Sequence, residues 1–291
     1  MQTPDYNSPA VLKSVLEAHG FSMQKKFGQN FLLNAAMRTR LVDALNIESG
    51  MNVWEIGPGL GSMTKLLLEK GAAVTAFEID RGFIQLLENF FADEIAARTL
   101  ALVSGDVLKT WRAVLHENEA HMPARFFGNL PYNIAATLIA DTIERGMRFD
   151  KAVVTVQKEV GSRMCAKADT SDYSSFTILC QWAYDVKMLF DIGAGNFWPR
   201  PHVASCAVSL VKKADFPRCN NPALFLKMVR ALFASRRKNI RNNLTAFLGD
   251  SEKALHALEC VGISPASRAE TLPIATLLQL SDALNAAIIN V

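Results

Sequence analysis

The chain has 291 residues, of which 50% are hydrophobic and 20% are charged, and its formal net charge is +3. This composition supports one large domain and a smaller one. No apolar run approaches the ~20 residues of a membrane span, and the first ten residues lack the layout of a signal peptide. We therefore expect a cytoplasmic protein without a membrane partner. The five cysteines are widely spaced and the five histidines show no ligand spacing, which predicts reduced, mostly buried thiols and no metal site.

Helical and strand patterns follow one another along the chain in a recognisable order. Apolar residues recur at helical spacing over residues 8–20 and 34–46, with the connector QKKFGQNFL between them. From there the predicted strands are 52–57, 73–80, 99–106, 124–129 and 151–156. The predicted helices among them are 62–71, 81–91, about 133–145 and 174–183. Strands alternating with helices in this way indicate an α/β protein with a parallel, doubly wound sheet.

The last third of the chain changes character. Residues 184–192 and 205–213 are interpreted as two closing strands, for which an antiparallel pair is one arrangement, and residues 222–291 as helices only. We therefore place a domain boundary near 214, giving domains 1–213 and 214–291. Residues 212–250 carry nine Lys or Arg and two acids, a local charge of +7, so the remainder carries −4. This asymmetry suggests a polyanionic partner, with a solvated helix face as the alternative.

A glycine-rich loop joins the first strand of the sheet to its helix. In WEIGPGLGSMTKLL the glycines at 57, 59 and 61 allow the backbone to approach a ligand, and the helix start offers unpaired N–H groups. Glu78, at the end of the next strand, can accept hydrogen bonds from ribose hydroxyls. Ser62 stands where the dinucleotide fingerprint requires glycine, which disfavours a nicotinamide cofactor. A glycine-rich turn with incidental acids is the other reading.

The spacing E-x-G-x-G-x-G resembles the cofactor loop of class I S-adenosylmethionine-dependent methyltransferases. In that family an acid directly after the third strand accepts a hydrogen bond from the adenine amino group, and Asp106 occupies that place. The resemblance implies a Rossmann-like methyltransferase sheet and S-adenosyl-L-methionine as the cofactor.

The fourth strand, in FFGNLPYNIA, ends in Asn129, Leu130, Pro131 and Tyr132. Ligands bind outside the carboxyl ends of parallel strands, so this corner is predicted to face the cofactor. The carboxamide oxygen of Asn129 and the main-chain carbonyl of Leu130 can accept both hydrogens of an exocyclic amine, and Tyr132 can stack on its base. We therefore predict methyl transfer to nitrogen through alignment, without a general base. The alternative is an ordinary strand-ending turn.

Five motifs occur in the order found in the ribosomal RNA adenine dimethyltransferases, which the chain resembles from about residue 20 to 285: KKFGQNFL, EIGPGLGSMT, GNLPYNIA, VQKEVGSRM and FWPRPHVAS. The C-terminal stretches ASRRKNIRNNL and SRAETL resemble the bacterial branch that dimethylates two adjacent adenosines of small-subunit rRNA. The resemblance implies an enzyme that acts in a pre-ribosomal particle, as a monomer, and assists small-subunit maturation. Methylation of large-subunit rRNA, and an assembly factor in which catalysis is secondary, stay open as alternatives.

The resemblance also assigns roles to single residues. The implied cofactor contacts are Asn30, Leu32, Gly57, Glu78, Asp106 and Asn129. The implied catalytic group is Asn129, Leu130, Pro131 and Tyr132, with Phe197 closing on the other face of the target base. The RNA-binding candidates are Lys25, Lys26, Arg236, Arg237, Lys238 and Arg241. The chain departs from the family pattern at Trp198, which is bulkier than expected, and in 111–124, interpreted as a small insertion.

Overall fold

The computed structural model of the chain describes residues 2–21, 30–117, 122–129 and 132–289. Backbone contacts divide the chain into two compact units. The first comprises Met1–Ile139, Phe149–Gly161 and Lys187–Val211, and the second comprises Ala140–Arg148, Ser162–Val186 and Lys212–Val291.

The helices and strands follow the predicted alternation. The helices are α1 Pro9–Ala18, α2 Ala35–Asp43, α3 Ser62–Glu69, α4 Arg81–Phe90, α5 Ala92–Ala96, α6 Val107–Glu117, α7 Tyr132–Glu144, α8 Lys158–Cys165, α9 Ser175–Ala183, α10 Pro222–Phe233, α11 Ile240–Leu248, α12 Ser251–Val261 and α13 Ile274–Ile289. The strands are β1 Phe31–Leu32, β2 Asn52–Ile56, β3 Ala73–Glu78, β4 Leu100–Ser104, β5 Arg125–Asn129, β6 Lys151–Gln157, β7 Tyr184–Ile192, β8 Phe197–Trp198 and β9 Ser205–Lys212.

The larger of two sheets has the strand order β4-β3-β2-β5-β6-β9-β7. The strands from β4 to β6 are parallel to their neighbours, whereas β9 is antiparallel to β6. After β2 the chain builds outward through β3 and β4, and then returns to the other side of β2 with β5. This reversal opens a crevice at the carboxyl ends of β2 and β5, where doubly wound sheets bind their ligands. The predicted parallel sheet is confirmed.

The central strands are buried on both faces, as their predominantly apolar sequences require. In β6 the five residues between Lys151 and Gln157 are all buried, and four of them are Ala or Val. Asp80 begins α4 by accepting a hydrogen bond from the Gly82 N–H at 2.9 Å. This cap holds the start of α4 immediately after β3, beside the crevice.

A short antiparallel ladder, β1 with β8, was not predicted. It pairs Phe31 with Trp198 and Leu32 with Phe197. Two-residue strands carry no readable alternation, and their pairing depends on residues far apart in sequence. Residues 111–117, within the stretch interpreted as an insertion, belong to α6.

The C-terminal residues of the second unit are helical, as predicted. In this unit α10 packs against α11 and α13, and α12 packs against α11 and α13. Gly249 and Gly262 end α11 and α12 in left-handed conformation.

All five cysteines are free thiols in the structure. Only Cys180 and Cys206 are buried, and Cys260 is exposed, so the prediction of mostly buried thiols was wrong. Cys260 lies on the outer face of the amphipathic α12, where the helix period rather than residue type decides burial. Within the described ranges, no helix has the length and hydropathy to cross a bilayer, and no group of three metal-ligating side chains occurs.

Candidate active site

A pocket lies at the carboxyl ends of β2, β3 and β5, in the crevice where the strand order reverses. All six residues predicted to contact the cofactor line it: Asn30, Leu32, Gly57, Glu78, Asp106 and Asn129. They come from five separate stretches of the first unit, so the fold brings together residues that are up to 99 positions apart. Their roles in binding stay predictions, but their common location agrees with one site.

The glycine loop lies close to aromatic rings. Gly59 has φ of +58°, and a Cβ there would be 3.0 Å from the Phe31 ring. Gly61 has φ of +85°, and a Cβ there would overlap the ring of Phe91. Both the backbone conformation and the lack of space therefore require glycine at these positions. The loop can pack directly on β1 and α4 only because these side chains are absent.

The carboxylate of Glu78 is held by the loop and by the start of α4. The Gly59 N–H donates to Oε2 at 3.2 Å, and the Asp80 N–H donates to Oε1 at 2.9 Å. Burial raises the pKa of Glu78 to about 7, although these backbone hydrogen bonds oppose the shift. The side chain lines the pocket with lone pairs to spare, as an acceptor for vicinal hydroxyls needs.

Asp106 also offers an acceptor to the pocket. The Leu108 N–H donates to Oδ1 at 3.0 Å, which fixes the side chain in a turn before α6. Oδ2 has no hydrogen-bond partner within the described part of the chain. An oxygen placed in this way can accept a hydrogen bond from an amino group of a ligand.

At the end of β5, the carboxamide of Asn129 makes two hydrogen bonds. Its Nδ2 donates to the Asn30 carbonyl oxygen at 3.0 Å, and its Oδ1 accepts from the Thr155 hydroxyl. Thr155 was missed by sequence reasoning, although one polar residue in the apolar strand KAVVTV is a readable signal. Leu130 and Pro131 lie outside the described residues, as does the side chain of Tyr132, whose backbone begins α7.

Phe197 and Trp198 lie in β8, next to β1, whose residues line the pocket. Phe197 is only 5% exposed and belongs to the hydrophobic core around β1 and α4. The predicted contact of Phe197 with a target base is therefore not possible in this buried conformation and stays a prediction. The Trp198 ring stacks on Phe31, with centroids 6.0 Å apart and 20° between planes. The bulk of Trp198 thus serves packing on β1.

Arg38 was also missed, because an arginine within a helix is usually exposed. Its guanidinium is buried and donates to the carbonyl oxygens of Leu32 at 2.8 Å and Leu33 at 2.7 Å. It also donates to Oδ1 of Asn7 at 2.9 Å. These bonds connect the N-terminal segment to β1. The carbonyl oxygens also compensate the buried positive charge of the guanidinium. Arg38 therefore helps to set the position of the strand that lines the pocket.

Glu55 is a second buried carboxyl, behind the pocket in β2. It is 1% exposed, and Oε2 accepts a hydrogen bond from the Thr64 hydroxyl at 2.6 Å. Burial, with a smaller contribution from the nearby Glu78 charge, raises the pKa of Glu55 to about 8. The neutral acid is the form that the folded protein favours at physiological pH.

We expect Glu55→Gln to flatten the pH dependence of stability. Because the folded-state pKa lies above the unfolded value, Glu55 stabilises the fold most at low pH, and this contribution is lost as pH rises toward 8. Between pH 5.5 and 8.5 the free energy of unfolding should fall by an amount on the order of 3 kcal/mol, at ~1.4 kcal/mol for each pKa unit crossed. Thermal midpoints at pH 5.5 and 8.5 measure it. Glu69→Gln, at an exposed glutamate, should keep the wild-type slope, and an equally steep slope in Glu55→Gln would contradict the assignment.

The basic candidates do not all lie where they were predicted. Arg236, Arg237 and Lys238 are exposed in the turn between α10 and α11, not on a helix, and only Arg241 lies on α11. Asn239 caps α11, and the helix has no acid in its first turn. Cations at a helix start are unfavourable unless an anion is present, which favours a phosphate-binding role. Lys25 and Lys26 lie outside the described residues.

Comparison with known sequences gives full-length matches. The family model described as ribosomal RNA adenine dimethylase matches residues 20–286. The chain is 48% identical over 285 residues to a ribosomal RNA small subunit methyltransferase A of Treponema denticola, which covers 97% of this chain and 96% of the relative. It is 36% identical over 291 residues to a protein of the same name from Streptococcus pneumoniae, which covers 98% of each.

Comparison with solved structures identifies the fold. A dimethyladenosine transferase from Plasmodium falciparum superposes with a TM-score of 0.70 at 24% identity, over 85% of this chain and 94% of that one. The 23S rRNA methyltransferase ErmE superposes with a TM-score of 0.63 at 20% identity, over 87% and 99%. The predicted class I methyltransferase fold, with a Rossmann-like sheet and a helical C-terminal part, is confirmed.

Proposed function

This chain belongs to the ribosomal RNA adenine dimethylase family, and we propose that it dimethylates the exocyclic amines of two adjacent adenosines near the 3′ end of small-subunit (16S) rRNA. The observation that carries the proposal is the Asn129 carboxamide, held at the edge of a pocket that all six predicted cofactor residues line. The names of the full-length relatives support the small subunit as the source of the substrate.

The pocket fits S-adenosyl-L-methionine, which supplies an electrophilic methyl group on a sulfonium when it is bound. Glu78 would accept hydrogen bonds from the ribose hydroxyls, and Oδ2 of Asp106 would accept one from the adenine amino group. Gly57, with φ of +70°, lets the loop backbone approach the ligand. Asn30 and Leu32 close the side of the pocket that β1 forms.

The corner aims the target amine. A purine amine is a poor nucleophile, because its lone pair is delocalised into the ring. Oδ1 of Asn129 would accept one amine hydrogen and the main-chain carbonyl of Leu130 the other, so that the lone pair of the amine nitrogen is held in one direction. Tyr132 would stack on one face of the base and Pro131 would fix the turn. Phe197 would take the other face, which requires it to leave the buried position that it has here. Alignment of this kind can supply ~7–11 kcal/mol. No general base is required before transfer, because the nitrogen becomes positively charged as it gains the methyl group and then loses a proton readily to water.

We further propose a division of labour between residues 1–213, which carry the cofactor and the amine, and residues 214–291, which bind RNA. The exposed Arg236, Arg237, Lys238 and Arg241 would contact phosphates, as would Lys25 and Lys26, which precede β1 in the sequence. The setting we propose is a pre-ribosomal particle in the cytoplasm, with the enzyme acting as a monomer.

We expect the double variant Arg237→Gln/Lys238→Gln to weaken RNA binding and reduce its salt dependence. Arg236 is left in place because it donates to the Ser171 carbonyl oxygen, whereas the side chains of Arg237 and Lys238 have no hydrogen-bond or ion-pair partner within the described residues. Losing two phosphate contacts should lower the slope of log K against log salt by roughly 1 to 2. Filter binding at several salt concentrations measures the slope, and calorimetry checks that cofactor affinity is unchanged.

A matched control replaces two exposed lysines outside the turn, Lys13→Gln/Lys253→Gln. It should keep the wild-type slope. A slope that stays unchanged in the Arg237/Lys238 variant, or falls equally in the control, would rule out this turn as the phosphate contact.

The proposed reaction is tested by incubating the protein with labelled S-adenosyl-L-methionine and unmethylated small subunits, and then locating the label by RNA mass spectrometry. We expect two adjacent dimethyladenosines near the 3′ end. Large subunits serve as the control substrate. Label on cytosine, or on large-subunit RNA alone, would refute the assignment.

A further inference from the structure

Thr155 is the one polar residue among the five buried residues of β6. It is 2% exposed in β6, and its Cα lies opposite Asn129 in the parallel register of β5 and β6. Within the described residues, its side chain makes one hydrogen bond, as donor to Oδ1 of Asn129. A buried hydroxyl without a partner is unfavourable. The carboxamide at the corner is therefore the group that satisfies it.

The hydrogen bonds define which end of the carboxamide faces which neighbour. The main-chain oxygen of Asn30 can only accept, so the Nδ2 end of Asn129 must face it, at 3.0 Å. The oxygen end then faces Thr155, whose hydroxyl can rotate to donate. The orientation thus follows from the hydrogen-bonding chemistry of the two neighbours.

We propose that Thr155 is a positioning residue for methyl transfer, acting through Oδ1 of Asn129. This proposal deepens the function proposed above and depends on it. Oδ1 has two acceptor sites. Thr155 occupies one of them and leaves the other for a hydrogen of the target amine.

The physical reason is torsional. The terminal torsion of an asparagine side chain has a broad, shallow preference, so one hydrogen bond to Asn30 leaves the amide plane free to rotate about that contact. A second bond on the oxygen side restrains the plane from the opposite direction. Without it, the direction in which Oδ1 accepts is spread over many angles, and a reaction that relies on alignment slows.

The test compares Thr155→Val, which removes the hydroxyl at nearly constant volume, with Thr155→Ser, which keeps it. Ser209→Ala is the matched control, since Ser209 is a buried hydroxyl on β9 opposite Val153 of β6. We expect kcat of Thr155→Val to fall roughly 3- to 30-fold, with KM for S-adenosyl-L-methionine within about twofold. Serine should restore most of the rate, and Ser209→Ala should leave it unchanged.

Three kinetic results would overturn the proposal: an unchanged kcat in Thr155→Val, a loss confined to KM, or an equal loss in Ser209→Ala. If the valine variant does not fold, Thr155→Ala is measured against Thr155→Ser. Equal rates in that pair would also reject the role of the hydroxyl.

A second measurement needs no RNA. In protein labelled with ¹⁵N at asparagine only, the side-chain amide signal of Asn129 is identified by its loss in Asn129→Ala. We expect Thr155→Val to shift or broaden this signal and Ser209→Ala to leave it in place. An unmoved signal in Thr155→Val would overturn the positioning role whatever the substrate. Failure of the wild-type protein to label small subunits would instead refute the proposed function.

Discussion

Replacing Asn129 by alanine is expected to lower kcat for methyl transfer roughly 10²- to 10³-fold, the usual loss when a preorganised hydrogen-bonding group is removed from a reacting centre. The variant loses the oxygen that accepts from the amine and also the Nδ2 donor that holds the Asn30 carbonyl. Single-turnover methylation of small subunits measures the effect, because it isolates the transfer step from product release.

The Asn129→Ala loss should appear in kcat more than in cofactor affinity. The backbone glycines, Glu78 and Asp106 remain, so we expect the Kd for S-adenosyl-L-methionine to rise less than about tenfold. Asn220→Ala removes an exposed carboxamide and should behave as wild type. Near-normal single-turnover rates in Asn129→Ala would exclude the carboxamide from the transfer step.

Replacing Glu78 by alanine should instead lower cofactor affinity more than kcat. Two hydrogen bonds from ribose hydroxyls to a carboxylate would be lost, so we expect cofactor affinity to fall roughly 10²-fold. The Gly59 and Asp80 N–H groups also lose their acceptor, which loosens the loop and the start of α4. At saturating cofactor, kcat should stay within about tenfold of wild type. Calorimetric titration with S-adenosyl-L-methionine measures the affinity.

The raised pKa of Glu78 adds a pH signature. With a pKa of about 7, the carboxyl is increasingly ionised between pH 6 and 8, and the ionised form accepts more strongly from hydroxyls. Cofactor affinity of the wild-type protein should therefore rise over this range, whereas Glu78→Gln should show a flat profile. Glu88→Ala, at an exposed position on α4, is the control. An unchanged affinity in Glu78→Ala would remove Glu78 from the cofactor site.

The stability of the ligand-free protein should fall as pH rises, whereas cofactor affinity should increase. The folded-state pKa values of Glu55 and Glu78 both lie above the unfolded value, so each carboxyl contributes most to stability at low pH and less as pH rises through its folded pKa. Bound cofactor should offset part of this decline, because it binds only the folded form. Measurements with and without cofactor separate the two effects.

Local sequence was sufficient for features that depend on neighbours in the chain. The strand–glycine–helix order around Gly59, the acids at the ends of β3 and β4, and the helical C-terminal region were all readable. Period and turn chemistry act over a few residues. The parallel sheet followed from the alternation of elements, since consecutive parallel strands need a crossover between them.

The sequence by itself therefore determined the fold class and which residues reach the carboxyl edge of the sheet. Tertiary structure alone decided the features that depend on residues far apart in the sequence. These are the pairing of β1 with β8, the burial of Phe197, the hydrogen bonds of Arg38 to β1 and the hydrogen bond of Thr155 to Asn129. The physical reason is the register between strands. A shift of one residue in β6 would turn Thr155 to the other face of the sheet, and no local pattern in the chain specifies that register.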